Sequence, residues 1–311
     1  MSSARPTVAN LEAAADRIHG HVFRTPVVAS PWLSALTGAR VWLKLETMQT
    51  TGSFKIRGAT NALARLREAQ PALTAVTTAS AGNHGLGLAK AGLAFGITVR
   101  VHLPMTAPEP KKQALRRYGA VMLEAPSYDE AERRAHEEAA GGGVTFVSAY
   151  SDSDVIAGAG TAALEMIADR PELNTFIVPL GGGGLLSGTA IAARARLGDA
   201  ILIGAEAAAS PVFTGALAAG RPVTVPVTDT IADGLAGNME PDSQTFGIVR
   251  DLVEDVMTVP EADIVRALRD LAEQDRLHVE GASATAVAAL ILRGRQFAGR
   301  HVGVILSGRN R

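Results

Sequence analysis

The apolar positions of this chain fall into two alternating patterns. Short, mainly apolar runs over residues 41–45, 75–78, 97–103, 121–123, 144–147, 176–180, 201–206, 253–259 and 302–306 predict strands. Between them, apolar side chains return every three or four residues. Leu11, Ala14, Ala15 and Ile18 predict an amphipathic first helix, and further helices are predicted over 83–95, 110–118, 128–140, 261–275 and 283–292. Ser30 and Pro31 start a short second helix and Gly38 stops it, through a capping hydroxyl, a ring with preset φ and a residue free to turn left-handed. Regular alternation of strands and helices with short crossovers predicts an α/β fold with open, twisted, mostly parallel sheets and helices on both faces. Residues 49–148 are expected to form a small unit and residues 1–48 with 149–311 a larger one. No low-complexity linker or internal repeat separates the two, so the expectation is two packed lobes with a ligand cleft between them.

Composition narrows the class without naming a chemistry. The chain is 47% hydrophobic and 20% charged, with a formal net charge of −1, a balance that implies neither a nucleic-acid partner nor a charged membrane surface. Cysteine is absent, which excludes disulfides, thiolate metal sites and a cysteine nucleophile. No apolar run approaches bilayer-spanning length, and a cytoplasmic protein acting on a small molecule is expected.

Two stretches carry the chemistry. Ser53 follows a strand and a turn and is placed to cap a helix whose first turn holds Lys55. The positive end of the helix dipole and the apolar neighbours Phe54 and Ile56 disfavour an ammonium there and so favour a neutral, nucleophilic amine. The second stretch, Gly181, Gly182, Gly183, Gly184 and Leu185, lies at a strand-to-helix junction whose free amides can surround a phosphate. A reactive lysine and a phosphate cup together suggest pyridoxal phosphate. The glycine run also approaches a dinucleotide fingerprint, with Ser187 in place of the third glycine and Glu206 near the position of a ribose-binding acid, and spacing alone leaves this open. Ser80, Ala81, Gly82, Asn83 and His84, at another strand-to-helix turn, could hold a substrate carboxylate, or Asn83 and His84 could simply cap the helix. Ser307 falls just past the last strand, at the ligand-facing end of an α/β sheet. The seven histidines show no paired metal spacing, and residues 184–188 place their serine one position late for a nucleophile elbow.

In combination, Arg24-Thr25-Pro26, the lysine motif over 53–59, the loop over 80–85, the glycine run, Ile231-Ala232-Asp233-Gly234 and Ser307-Gly308 stand in family order. Over nearly its whole length the chain resembles the fold-type II pyridoxal-phosphate enzymes with a tryptophan synthase β-like architecture, specifically the threonine/serine dehydratase and serine racemase group. The resemblance implies that Lys55 forms the internal aldimine and then removes the substrate α-proton. It implies that Phe54 lines the cofactor, Asn83 bonds its 3-hydroxyl, residues 181–185 hold its phosphate and Ser307 faces its pyridine nitrogen. A hydroxyl at that nitrogen stabilises a pyridinium less than a carboxylate does, which favours prompt loss of a β-substituent. Ala81 stands where the racemases carry an acid/base serine, so elimination to a 2-oxo acid and ammonia is expected in preference to racemisation. Glu206 matches a cation ligand of some relatives but Val212 replaces the partner aspartate, so no metal site is expected. Arg309, glycine in many relatives, lies on the surface or selects a substrate with a second negative or polar group. Candidate substrates are therefore L-threonine and L-serine, with 3-hydroxyaspartate or a hydroxyectoine-derived intermediate as the alternative. Relatives of this group form homodimers or homotetramers.

Overall fold

In the computed structural model, which describes residues 4–80 and 82–310, the chain builds two separate sheets. The chain opens with α1 (Val8–Ile18), β1 (Val27–Ala29), α2 (Pro31–Thr37), β2 (Arg40–Leu45) and α3 (Lys55–Ala69). Next come β3 (Ala75–Ala79), α4 (Asn83–Phe95), β4 (Thr98–Pro104), α5 (Glu109–Arg117), β5 (Val121–Ala125), α6 (Tyr128–Ala140) and β6 (Thr145–Phe146). The remainder holds α7 (Ser153–Asp169), β7 (Thr175–Pro179), α8 (Gly184–Leu197), β8 (Ile201–Ala207), α9 (Val212–Ala219) and α10 (Gln244–Leu252), then β9 (Asp255–Val259), α11 (Glu261–Gln274), α12 (Gly281–Arg293) and β10 (His301–Leu306).

One sheet runs β1-β2-β10-β7-β8-β9, parallel except for β1; the other runs β5-β4-β3-β6, all parallel. The apolar runs are continuous because the larger sheet is covered twice. Phe176 and Val178 of β7 face a core with α1, α7 and α8, while Ile177 faces the opposite core with α2, α11 and α12. β10, between β2 and β7, divides in the same way, with Ile305 in the first core and Val302, Val304 and Leu306 in the second. A third core joins α3 and α4 to the smaller sheet. The caps of α2 form as its sequence dictates: the Ser30 hydroxyl accepts from the Leu33 amide and Gly38 is left-handed at φ 73°.

α3 packs on α4 from one side and on α7 from the other. At the second contact two glycines meet: a Cβ on Gly58 would stand 2.6 Å from the Val155 carbonyl, and one on Gly158 would stand 2.6 Å from the Arg57 carbonyl. Arg57, fully buried, fills the space beside this crossing. It makes a bidentate pair with Glu46 (2.8 and 2.9 Å) and another with Glu165 (both 2.8 Å), and donates to Thr161 and to the Phe23 carbonyl. Lys44 adds a second buried cation, 2.6 Å from Glu165. Two cations face two carboxylates, so the cluster is internally neutral and its hydrogen bonds are satisfied, the condition under which buried charge is tolerated. Burial pushes the Glu46 carboxyl up, but the Arg57 charge and hydrogen bonds, followed by Lys44 and Thr25, outweigh it and hold it below the usual carboxylate range.

Candidate active site

The ends of β7 and β10, the starts of α3, α4, α8 and α12 and the loops beside them enclose a cleft of about 980 Å³. Phe54, Lys55, Ser80, Gly82, Asn83, His84, Gly181, Gly182, Gly183, Gly184, Leu185 and Ser307 all line it, so the described site candidates converge on one cavity. Ala81 lies outside the described residues.

Ser53 does not cap α3 as its position suggested. Among the described residues its buried hydroxyl has no hydrogen-bond partner, and Phe54, at φ −58° and ψ −21°, is already helical at the cap position. Tertiary pairing has replaced the local cap: Ser53 forms an antiparallel bridge with Gly308, the Phe54 amide donates to the Ser307 carbonyl (2.9 Å) and the Arg309 amide donates to the Gly52 carbonyl (2.9 Å). Lys55 and Ser307 are thereby stitched together through their backbones. The Lys55 ammonium donates to the Ala149 carbonyl at 2.8 Å and lies 5.3 Å from the Phe54 ring centroid. Burial draws its pKa down to about 8, against the opposing charge of Glu280.

Opposite stands the glycine run. α8 starts at Gly184 with Gly183 as its cap residue at φ +87°, and no side chain caps the helix. The Gly182 carbonyl accepts from the Thr245 hydroxyl at 2.8 Å. Side chains are excluded by contact: a Cβ on Gly182 would stand 2.3 Å from the Tyr150 ring, and one on Gly183 2.7 Å from Phe213. What remains is a cradle of backbone at a positive helix terminus, which fits a phosphate. Glu206, the residue that could have served a ribose, is turned away to accept from the Phe213 and Thr214 amides at the start of α9.

At the substrate loop the Ser80 hydroxyl accepts from the Gly82 and Gly85 amides, and neither Asn83 nor His84 caps α4. His84 donates Nε2–H to the Val147 carbonyl (3.2 Å); burial, and then the nearby Lys55 charge, lower its pKa to about 3, so the ring is neutral. Ser307 shares a hydrogen bond with Ser283 (3.1 Å), whose hydroxyl also bonds the Gly308 backbone. Ser283 and Glu280, both at the start of α12, escaped the sequence reading. Glu280 is buried against the cleft, accepts from Asn83 and has its pKa pushed up to about 7, chiefly by burial. Its signal in the sequence is an acid directly before a helix of small residues. Arg309 is exposed and lines a recess of about 270 Å³ that adjoins the cleft, sharing Gly82, Asn83, Lys111 and Asn310 with it.

A partly buried lysine facing a glycine phosphate cradle, with a hydroxyl stitched beside the lysine, is the arrangement pyridoxal phosphate requires. Comparison with known proteins decides the family: residues 18–308 match the model described as pyridoxal-phosphate dependent enzyme. The chain belongs to the pyridoxal-phosphate dependent enzymes. It is 39% identical to an L-threo-3-hydroxyaspartate ammonia-lyase of a Pseudomonas species, across 96% of this chain and 93% of that protein. It is 38% identical to an L-threonine ammonia-lyase of Thermotoga maritima, across 98% of this chain and 75% of that protein. The crystal structure of a pyridoxal 5'-phosphate-dependent aspartate racemase superimposes with a TM-score of 0.93 at 32% identity, covering 100% of this chain and 98% of that one. The architecture is that of the tryptophan synthase β-like, fold-type II members of the family. Among the described residues no helix is long and apolar enough to cross a membrane.

For this pyridoxal-phosphate enzyme the cradle makes a direct prediction. Gly183→Ala places a side chain in the left-handed region and against Phe213, and the cofactor dissociation constant is expected to rise about tenfold or more. A cofactor titration followed by absorbance checks it.

Proposed function

We propose that this chain is an ammonia-lyase that eliminates water from a 3-hydroxy amino acid and, because the resulting enamine takes that water up again on hydrolysis, releases ammonia and leaves a 2-oxo acid. The observation that carries the reading is the amine of Lys55: partly buried at the cleft wall, lowered in pKa and opposite an uncapped, glycine-lined helix terminus. Bound there, pyridoxal phosphate supplies an electron sink for the charge left when the α-proton is lost. Residues 181–185 would hold its phosphate through backbone N–H groups, with Phe54 beside the ring, Asn83 toward the 3-oxygen and Ser307 toward the pyridine nitrogen. Lys55 would hold the cofactor covalently, and its free amine would accept the α-proton at Nζ. Ser80, Gly82, Asn83 and His84 present the start of α4 to the substrate carboxylate. The α-proton, returned by Lys55 to the departing β-hydroxyl, would leave with it as water, and the released enamine would hydrolyse to 2-oxo acid and ammonia. The reading carries with it a cytoplasmic location and a homodimer or homotetramer.

The side chains along the outer cleft bear on the substrate. Glu132 and Glu240 line it, both with pKa values raised chiefly by burial, and its outer cations are already paired, Lys111 with Asp233 and Arg133 with Glu130 and Glu137. A second carboxylate on the substrate therefore meets two acids, with Lys111 and Arg133 already engaged by carboxylates. In a panel assay of 2-oxo acid release, L-threonine and L-serine are expected to exceed the 3-hydroxyaspartate isomers in kcat/KM by about tenfold or more. A hydroxyectoine-derived substrate belongs in the same panel. Because the Ala81 side chain has no proton to give, D-serine should form from L-serine at under roughly a hundredth of the elimination rate. Chiral chromatography of the reaction mixture measures it, and ready racemisation would refute the assignment.

A further inference from the structure

Asn83 belongs to the smaller sheet's side of the cleft, yet its side-chain partners all come from the other side. Its Nδ2 lies 3.0 Å from both carboxylate oxygens of Glu280, and its Oδ1 accepts from Asn310 Nδ2 at 2.7 Å. The same Asn310 nitrogen donates to the Thr51 carbonyl at 2.7 Å. This chain of bonds has only one self-consistent direction. The Thr51 carbonyl can only accept, so the Asn310 atom beside it is the amide nitrogen, whose second hydrogen goes to Asn83 and finds an oxygen there. The opposite atom of the Asn83 amide is then nitrogen, which the Glu280 carboxylate accepts from. Its two contacts go to the two oxygens of one carboxylate, too close together in direction for both amide hydrogens to serve them, so one hydrogen is shared between them and the other is left for the cleft that Asn83, Glu280 and Asn310 line. Glu280 is itself fixed: its amide donates to the Gly308 carbonyl at 3.1 Å, and its carboxylate fills the space where a Gly308 side chain would stand.

We propose that Glu280 and Asn310 are positioning residues that lock the Asn83 amide with its N–H offered as donor to the 3-oxygen of the bound cofactor. The inference rests on the cofactor-binding reading above. A locked donor stabilises the deprotonated 3-oxygen, and the hydrogen bond that Asn83 Oδ1 accepts from Asn310 polarises the amide so that its N–H donates more strongly. Since Asn83 and its two partners come from opposite sides of the cleft, the lock exists only while the start of α4 is seated on the larger sheet's side. How the 3-oxygen is held thus reports on that seating. Glutamine at position 280 loses the charge and one of the two acceptor oxygens, so it holds the Asn83 N–H more weakly and loosens the lock.

The test is the absorption spectrum of the holoenzymes without substrate. Asn83→Ala should lower the long-wavelength share of bound-cofactor absorbance several-fold. Glu280→Gln should shift it in the same direction, and the double variant should shift no further than Asn83→Ala alone, because the three groups act as one unit. Asn310→Ala carries the same expectation from the other end of the chain and serves if Glu280→Gln does not fold. Cofactor release should quicken about tenfold in each folded variant. A wild-type spectrum in Glu280→Gln and Asn310→Ala, or additive shifts in the double variant, would overturn the lock. Borohydride reduction of the wild type separates this failure from a deeper one: without a pyridoxyl group trapped on Lys55, the functional reading falls and the lock falls with it.

Discussion

Lys55→Ala is expected to lose about four orders of magnitude or more in kcat/KM for every 3-hydroxy amino acid tested, since one change removes both the covalent anchor and the base. The protein should still fold. The stitch between residues 52–54 and 307–309 is made by the backbone, and the Lys55 side chain contributes to it only a hydrogen bond to the Ala149 carbonyl. Borohydride treatment followed by peptide mapping should label Lys55 in the wild type and leave the variant unlabelled. Retention of more than about a hundredth of wild-type activity would show that another group takes the α-proton. Glu280, which faces the same cleft with its pKa near 7, would then be the next residue to replace.

The largest expected loss of stability lies elsewhere, in the ionic cluster beneath α3. Glu165→Ala removes the partner of Lys44 and one of the two partners of Arg57, leaving two buried cations with Glu46 as the one remaining carboxylate. An uncompensated buried charge of this kind costs about 3–5 kcal/mol, a fall in Tm of roughly 10 °C for a chain of this size. Glu165→Gln keeps hydrogen-bond acceptors and should cost less. Acid should act on the same cluster through Glu46, whose folded pKa lies below its unfolded value. Its contribution is then complete above the ordinary carboxylate pKa and is lost as pH falls through the lowered one. Thermal denaturation from neutral pH downward should therefore show the wild type losing stability below pH of about 4.5, with a shallower decline in Glu46→Gln. A Glu165→Ala protein as stable as wild type would mean that Lys44 and Arg57 find water or other partners.

What could be read from the sequence was mostly local. Ser30, Pro31 and Gly38 determine α2 because a cap, a ring and a left-handed turn act within one helix. α4 and α6 begin and end at the residues their periodicity marks, 83–95 and 128–140. The cap expected at Ser53 failed because residues from the far end of the chain pair with that turn and satisfy its backbone instead. Distance in sequence hid the supporting residues in the same way. Glu280 lies 197 positions from Asn83, and Glu165 lies 108 from Arg57, so neither pair leaves a periodic trace. The motif carrying Lys55 was legible as chemistry, but nothing local marks Arg57 within it as a buried ion, because its two carboxylates come from positions 46 and 165.

The place of β10 has a consequence for how the molecule is made. This last strand lies between β2 and β7, so the larger sheet cannot close until nearly the whole chain has been synthesised. At common elongation rates β2 waits on the order of tens of seconds for its neighbour, an exposed edge during that interval. β3 to β6 are contiguous in the chain and need not wait. A nascent chain should therefore emerge with its smaller sheet formed and with β2 paired at most to β1, its other edge open, and that edge is where a chaperone or a neighbouring copy would first take hold.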